Sequence, residues 1–150
     1  MRDNTQYSGG NHPLSKKVYY GGSDVLKTGY ALCYDDTALV GAADPKDEFG
    51  TRVVKPGTSN LNLFAGFVAP GSANKQGPCW IDIVEPDSGM VIDAFTHANM
   101  TKATTALGLA NNDYGLVVWA DSTLNLPMVA VAGETVNTSA TAATKRVYVL

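Results

Sequence analysis

The residues of this chain that could do nucleophilic or metal chemistry are few and widely spaced. The sequence contains two histidines, His12 and His97, and two cysteines, Cys33 and Cys79. A nucleophilic triad needs a base close to its nucleophile, and neither histidine lies near a Gly-x-Ser-x-Gly pattern. Zinc sites usually take pairs of ligands that are close in sequence, and no two of these four residues are. We therefore predict no catalytic residue, no metal and no cofactor, and two reduced, buried cysteines.

One short segment matches a catalytic signature, but its surroundings favour a turn. Asp87-Ser88-Gly89 has the Asp-Ser/Thr-Gly form of retroviral-type aspartic proteases, in which paired loops share one proton. That signature directly follows an apolar strand, whereas Glu85-Pro86 stands here. Proline and glycine occupy positions that suit a β-turn. We predict a turn, with residues 79–95 forming a hairpin around it.

Charge and hydropathy exclude two classes of partner. The net charge is −3, and no cluster of basic residues is larger than Lys16-Lys17 or Lys145-Arg146, so we expect no binding to nucleic acid. No run approaches the ~20 apolar residues of a membrane span, and the first residues lack the apolar stretch of a signal peptide. The expected protein has no membrane partner and stays in the cytoplasm where it is made.

The elements predicted to carry any binding residues are short strands. Charged residues make up 17% of the chain, with 15 glycines and 7 prolines, and apolar runs of four to eight residues end at Gly, Pro, Asn or Asp. In residues 99–109 the apolar spacing fits a helix but the threonines favour extended chain, and we expect an irregular segment or a strand. The predicted fold is all-β, a single-domain sandwich or small barrel of short antiparallel strands over residues 17–150. Residues 1–16 are predicted to be an arm, either a disordered tail or an extended segment that orders against another subunit.

Several aromatic and apolar residues are candidates for contacts with a partner, because interfaces favour such anchors. The candidates are Tyr7, His12 and Leu14 in the arm, Tyr19 and Tyr20 at the end of an early strand, and Phe49 in an acidic loop. A core position remains the alternative for Tyr19, Tyr20 and Phe49. Trp80 and Trp119 are expected in the core; exposed, they could stack on sugars.

The rhythm of the β segments resembles the small head decoration, or capsid cement, proteins of tailed bacteriophages. The segments that carry this resemblance are residues 18–24, 29–35, 54–57, 64–69, 77–81, 130–135 and 146–150. The resemblance implies a β-rich virion protein that sits on the outer capsid surface, often as a homotrimer, and clamps neighbouring copies of the major capsid protein. It assigns no catalytic residue. Two alternatives stay open: another virion component, such as a tail or minor head protein, and a β-barrel module that binds carbohydrate or another ligand.

Overall fold

The computed structural model describes residues 15–120, 126–136 and 143–150, and in these the protein is all-β, as the sequence predicts. The arm residues Tyr7, His12 and Leu14 lie outside the described residues. The first strand begins two residues inside the predicted arm. The strands are β1 (Ser15–Tyr20), β2 (Ala31–Tyr34), β3 (Arg52–Val54), β4 (Phe64–Val68), β5 (Cys79–Val84), β6 (Val91–Thr96), β7 (Ala106–Leu109), β8 (Leu116–Val118), β9 (Met128–Ala132) and β10 (Ala143–Val149).

The strands close into two five-stranded barrels that follow each other along the chain. The first barrel has the order β1-β3-β2-β4-β5, and the second has β6-β8-β7-β9-β10. The predicted hairpin over residues 79–95 is wrong, because β5 pairs with β1 and β4 while β6 pairs with β10 and β8. The turn at residues 85–90 has favourable local chemistry, but it carries the chain from one barrel to the next.

The two barrels repeat one topology in nearly the same register. Each has one parallel pair, β1 with β3 and β6 with β8, and its other pairs are antiparallel. A register shift interrupts β2 after Leu32 and β7 after Leu107, at the same place in both barrels. The equivalent strand pairs are Tyr20–Cys79 and Thr96–Ala143, Phe67–Val84 and Val131–Tyr148, Ala31–Phe67 and Ala106–Val131, and Tyr34–Val53 and Leu109–Leu116. The same order of five strands therefore describes both halves.

Apolar side chains at alternate positions of the strands fill the interior of the first barrel. In β5, Ile81 and Ile83 are buried, whereas Trp80 and Asp82 point to the outer side. Val18 and Tyr20 of β1 join the same interior cluster. Burial of such apolar side chains contributes about 25 cal/mol per Å² removed from water, which stabilises the closed barrel.

The second barrel is completed by a piece of the first. The amide of Phe95 in β6 donates to the carbonyl of Gly29 at 3.1 Å, and the amide of Ala31 donates to the carbonyl of Tyr114 at 3.0 Å. Residues 29–31 therefore lie between β6 and the segment that enters β8, where they satisfy backbone groups that a sheet edge would leave open.

The equivalent place in the first barrel closes without an insertion. There the amide of Tyr19, equivalent to Phe95, donates directly to the carbonyl of Thr51 at 2.9 Å. Thr51 is equivalent to Tyr114 in the repeat. The two barrels thus share one fold: β6 and β8 pair directly only at Thr96 and Leu116 among the described residues, and residues 29–31 hydrogen-bond beside that pair in the second barrel.

The apolar core crosses the boundary between the barrels. Ala31, Cys33 and Phe67 project from the outer side of the first barrel and form one cluster with residues inside the second, such as Leu107 and Val147. Burial raises the pKa of the Cys33 thiol to about 12, so this cysteine is a neutral packing residue. The expectation of burial is confirmed for Cys33; Cys79 is half-buried.

Tyr114 ties the second barrel to the interior of the first. Its ring stacks on Tyr30 with centroids 4.6 Å apart, and its hydroxyl hydrogen-bonds to Tyr20 at 2.5 Å and to Asp24 at 2.7 Å. Burial, together with these two hydrogen bonds, holds the pKa of Tyr114 far above its usual range. The phenol therefore stays protonated and can donate to the Asp24 carboxylate.

Candidate binding surfaces

The structure separates the candidate contact residues that it describes. Tyr20 is 1% exposed inside the first barrel, so it is a core residue and not a surface anchor. Tyr19, on the opposite side of the same strand, is half-buried at the surface. Phe49 is 38% exposed and packs its ring 6.3 Å from that of Tyr34. Tyr19 and Phe49 therefore remain available for contacts.

Residues 35–51 form an acidic loop between β2 and β3 that has no counterpart of its length in the second barrel, where residues 110–115 make the same connection. Asp35 at its base accepts a hydrogen bond from Arg52 Nε at 3.1 Å. The amide and hydroxyl of Thr37 also donate to Asp35, at 2.9 and 2.6 Å. The loop is therefore fixed at its base by charge-assisted hydrogen bonds.

The tip of the acidic loop exposes apolar side chains. Leu39 is 67% exposed and Val40 is 88% exposed, the two highest values among the large apolar residues described. A bridge between Leu39 and Glu48 and a hydrogen bond from the Phe49 amide to the Leu39 carbonyl at 2.9 Å hold the tip in place. Leucine and valine held in water by a fixed loop form a ready contact for a partner.

The base of the acidic loop should depend on pH. Although partial burial alone would raise the pKa of Asp35, the hydrogen bonds from Thr37 and Arg52 and the charge of Arg52 hold it below its usual range. The folded-state pKa is thus lower than the unfolded value near ~3.9. This group adds stability that is present above that unfolded value and lost as pH falls through the folded pKa.

We expect Asp35→Asn to lower the free energy of unfolding at pH 7 by about 1.5–3 kcal/mol, the usual contribution of hydrogen bonds to a charged group. The loss should shrink as pH falls below about 4, because the unmodified carboxyl is then protonated as well. Urea unfolding of both proteins between pH 7 and pH 3 measures this. Asp36→Asn, at the neighbouring loop carboxylate, is the control, and a pH-independent difference for Asp35→Asn would contradict the assignment.

A second surface, here called the head face, lies on the outer side of the first barrel. Tyr19 of β1 and Trp80 of β5 lie opposite each other in the sheet, with ring centroids 5.3 Å apart at 71°. Trp80 is 40% exposed, so the prediction that both tryptophans lie in the core is wrong for it. Tyr19 and Trp80 therefore form a partly exposed aromatic pair on the outer side of the first barrel.

Trp119 takes a different position and is half-buried. Its Nε1 donates to the carbonyl of Leu126 at 2.9 Å, and its ring lies beside Gly108 on the outer side of the second barrel. An alanine at 108 would place a Cβ about 3.2 Å from the Trp119 ring, so the glycine makes room for it. Trp119 therefore serves mainly to cover β7.

The third surface, here called the tail face, lies on the outer side of the second barrel. Tyr148 in β10 lies opposite both Val91 in β6 and Val131 in β9, so the three form an apolar row across neighbouring strands. Tyr148 is 45% exposed and Val91 is 58% exposed. They line a groove of about 610 Å³ that Lys102 and Arg146 border. Met128 extends the apolar surface along β9.

The one histidine in the described residues pairs with a carboxylate. His97 Nε2 and Asp113 Oδ1 lie 2.9 Å apart, and Asp113 also accepts from the Gly115 amide at 2.7 Å. Partial burial alone would raise the pKa of Asp113, but these hydrogen bonds hold it below its usual range. No other side chain in the described ranges hydrogen-bonds to His97, so the pair braces the entry to β8 and is not joined to a nucleophile.

Comparisons with known proteins do not assign this chain to a family. No family model, curated protein or solved structure matches this chain. Among the residues that the structure describes, no three His, Cys, Asp or Glu side chains are grouped so that they could hold a metal ion. None of the helices there has the length and apolar character needed to cross a membrane. The described part of the chain presents three partly exposed apolar surfaces on two packed barrels.

Sequence reasoning missed the head and tail faces, although it had part of the signal. The strict alternation in residues 79–84 places Trp80 on the side opposite Ile81 and Ile83, as the structure does. In β10 the buried residues are Lys145, Val147 and Val149, so alternation also turns Tyr148 outward. The pattern indicates the side of a strand, but only the packing of the barrels shows which side stays uncovered.

Proposed function

We propose that this protein is a structural, non-enzymatic component of a phage virion that binds the outside of the assembled capsid. It stabilises the shell by clamping neighbouring copies of the major capsid protein, and it acts as a homo-oligomer, with a trimer as the expected state. The likeness in β-segment rhythm to head decoration proteins suggests this role. The all-β fold and its exposed apolar surfaces are compatible with it.

One observation carries the proposal: the acidic loop is ordered and yet exposes an apolar tip. Its base is held by Asp35 and Arg52, while Leu39 and Val40 stand in water. In the isolated protein these two side chains stay exposed to water and contribute no burial free energy. A partner that covers the tip would supply that free energy. Because the loop is already fixed, little conformational entropy is lost when it binds. We therefore expect the tip to insert into a crevice between two shell subunits.

Separate surfaces explain how modest contacts could stabilise a shell. A ligand that binds only the assembled lattice stabilises it by RT ln(1 + [L]/Kd) per site. When one molecule or oligomer holds several such contacts, the second and later contacts form at a high effective concentration. The apolar tip of the acidic loop, the head face and the tail face provide such separated contacts. No single surface then has to bind tightly.

We expect the unmodified protein to co-sediment with empty, expanded phage capsids at a saturating, lattice-like stoichiometry. The double variant Leu39→Lys with Val40→Lys should weaken that binding at least tenfold, because burying either side chain contributes about 1.5–3 kcal/mol and about 1.4 kcal/mol corresponds to a factor of ten. Val118→Lys, at an exposed valine of the second barrel, should bind as the unmodified protein does.

Two results would contradict this proposal at different points. Failure of the unmodified protein to bind expanded capsids would overturn the capsid role. Equal binding by the double loop variant, with its fold retained by circular dichroism, would remove the acidic loop as the carrying contact.

A second function is favoured by the exposure of Trp80. An exposed tryptophan beside a tyrosine can stack on the apolar face of a sugar ring, as carbohydrate-binding modules require. Glycans that bind there would change the tryptophan fluorescence, and Trp80→Ala would abolish the change. A fluorescence response together with absence of capsid binding would favour this function over the first.

A further inference from the structure

The first strands of the two barrels begin at equivalent places in the repeat. The first strand of the first barrel begins at Ser15, which pairs with Val84 of β5. The first strand of the second barrel begins at Val91, which pairs with Tyr148 of β10. The end of residues 1–14, here called the N-terminal segment, is therefore the counterpart of the turn that precedes β6.

The turn that precedes β6 keeps close to the end of β10. The amide of Val149 donates to the carbonyl of Met90 at 2.8 Å, and the amide of Asp87 donates to the carbonyl of Leu150 at 2.7 Å. Pairing therefore extends beyond the first residue of β6. Leu14 is the counterpart of Met90 in the repeat, and both are apolar. We expect Leu14 to extend the pairing of β1 with the chain after β5 in the same way.

A proline should keep the N-terminal segment from copying the turn before β6. That turn contains Gly89, whose φ is +63°. The counterpart of Gly89 in the repeat is Pro13, and the proline ring holds φ at about −65°. A residue before proline is also restricted to an extended backbone, which applies to His12. We therefore expect the N-terminal segment to leave β1 in an extended form, along the direction of that strand.

That direction leads to the tail face. Because β1 and β5 are antiparallel, the chain that precedes Ser15 runs alongside the chain that follows Val84. The chain that follows Val84 reaches the second barrel at Asp87, which is hydrogen-bonded to Leu150. Leu150 lines the groove of the tail face. An extended N-terminal segment therefore arrives at the edge of this groove.

Two grooves form a continuous path from the start of β1 across the tail face. The first has a volume of about 300 Å³, lies at the junction of the barrels and is lined by Val84 and Val91. The groove of the tail face, of about 610 Å³, begins at the same Val91 and includes Tyr148 and Val131. Both grooves are lined mainly by apolar residues. A chain that lies in them removes apolar surface from water, which stabilises the contact.

The N-terminal segment is long enough to bring Tyr7 into the groove of the tail face. An extended chain rises about 3.3 Å per residue, so the seven residues from Leu14 to Tyr7 span about 23 Å. Crossing from β6 over β10 to β9 takes two strand spacings, or about 10 Å. Gly9 and Gly10 lie between Tyr7 and Leu14 and allow the chain to change direction across the strands.

A tyrosine suits the chemistry of this groove. Its ring can pack against Tyr148, which is 45% exposed. Lys102 and Arg146 at the border of the groove can donate hydrogen bonds to its hydroxyl. Tyr7 is the only Phe, Tyr or Trp of the N-terminal segment. We propose that the N-terminal segment folds back over its own chain and places Tyr7 in the groove of the tail face, against Tyr148.

The docked N-terminal segment covers the tail face of the isolated protein. A capsid partner that uses the tail face has to displace the segment first, so docking of the segment lowers the affinity of that contact. The acidic loop and the head face stay available throughout. The segment thus acts as a competitor, built into the chain, for one of the three surfaces.

A tryptophan in place of Tyr7 reports whether the segment is docked. In Tyr7→Trp combined with Trp80→Phe and Trp119→Phe, the introduced tryptophan is the only one in the chain. Its emission should be blue-shifted and shielded from acrylamide in the folded protein, and both effects should disappear in urea. If the two phenylalanines impair folding, the difference between Tyr7→Trp and the unmodified protein gives the same readout.

Tyr148→Ala tests the place of docking. Loss of this ring should lower the docking equilibrium about tenfold and expose the tryptophan introduced at position 7, since one large apolar contact commonly contributes that much. Tyr148→Phe should leave that tryptophan shielded, because the ring remains. Val118→Ala, at an exposed valine outside the groove of the tail face, is the matched control and should also leave it shielded.

Each of three results would overturn the proposal. Equal access of acrylamide to position 7 in the folded and urea-unfolded protein would show that the segment does not dock. Shielding that Tyr148→Ala leaves unchanged, with the fold retained by circular dichroism, would place the segment elsewhere. Shielding that is lost on dilution would mean that the segment binds a second copy of the chain. These measurements contain no capsid, so they can fail while capsid binding succeeds, and the reverse.

Discussion

Gly29→Ala should lower the free energy of unfolding by about 3 kcal/mol or more. A Cβ at this position would lie 2.2 Å from the carbonyl oxygen of Asp93 and 2.7 Å from the Cα of Ala94, both backbone atoms of β6. The backbone also has a φ of +81°, where a non-glycine residue costs roughly 1–2 kcal/mol. Overpacking of about 1–3 kcal/mol adds to this, because β6 has to move away from residues 29–31.

The control for Gly29→Ala is Gly41→Ala, which separates backbone strain from the clash. Gly41 has a φ of +75°, and no atom lies within 4 Å of a Cβ built there. It should therefore lose only the roughly 1–2 kcal/mol of the left-handed conformation. Urea unfolding followed by tryptophan fluorescence measures both variants. Equal losses would show that the close approach of Gly29 to β6 does not hold the barrels together.

The duplication of the barrel is invisible to sequence reasoning, for a physical reason. Equivalent strand positions share side-chain direction, which many apolar residues can satisfy, so Phe67 is matched by Val131 and Ile83 by Val147. Identity survives at only a few pairs, such as Leu32 with Leu107. Short strands and turns follow from local signals and were predictable. The repeat depends on pairing between distant strands, which those signals do not encode.

The errors in the prediction share that origin. A turn at residues 85–90 is favoured by its proline and glycine, but those residues do not determine whether the flanking strands pair. Trp80 was expected in the core because tryptophan is usually well buried. The alternation of β5 turns Trp80 to the outer side of the barrel. Whether that outer side is covered depends on the position of the second barrel, which covers β4 at Phe67 and leaves β5 exposed near Trp80. Residues 99–109 are no such error, since they form a turn followed by the strand Ala106–Leu109, as expected.

Phe67→Ala should lower the free energy of unfolding by about 3–5 kcal/mol, the range for truncating a fully buried aromatic side chain. Phe67 is 0% exposed and lies in the cluster that the two barrels share, with its ring 5.2 Å from that of Phe64. A cavity there removes contacts from both barrels at once. Phe49→Ala, at an exposed ring of the acidic loop, is the matched control and should lose less than about 1 kcal/mol.

The same variant tests whether the barrels fold as one unit. Trp80 lies in the first barrel and Trp119 in the second, so Trp119→Phe and Trp80→Phe backgrounds leave one fluorescent reporter in each barrel. Because Phe67 lies in the cluster that the two barrels share, Phe67→Ala should shift the urea midpoint equally for both reporters. A shift seen by Trp80 alone would mean that the second barrel is stable without the first. The junction between the barrels would then contribute little free energy to folding.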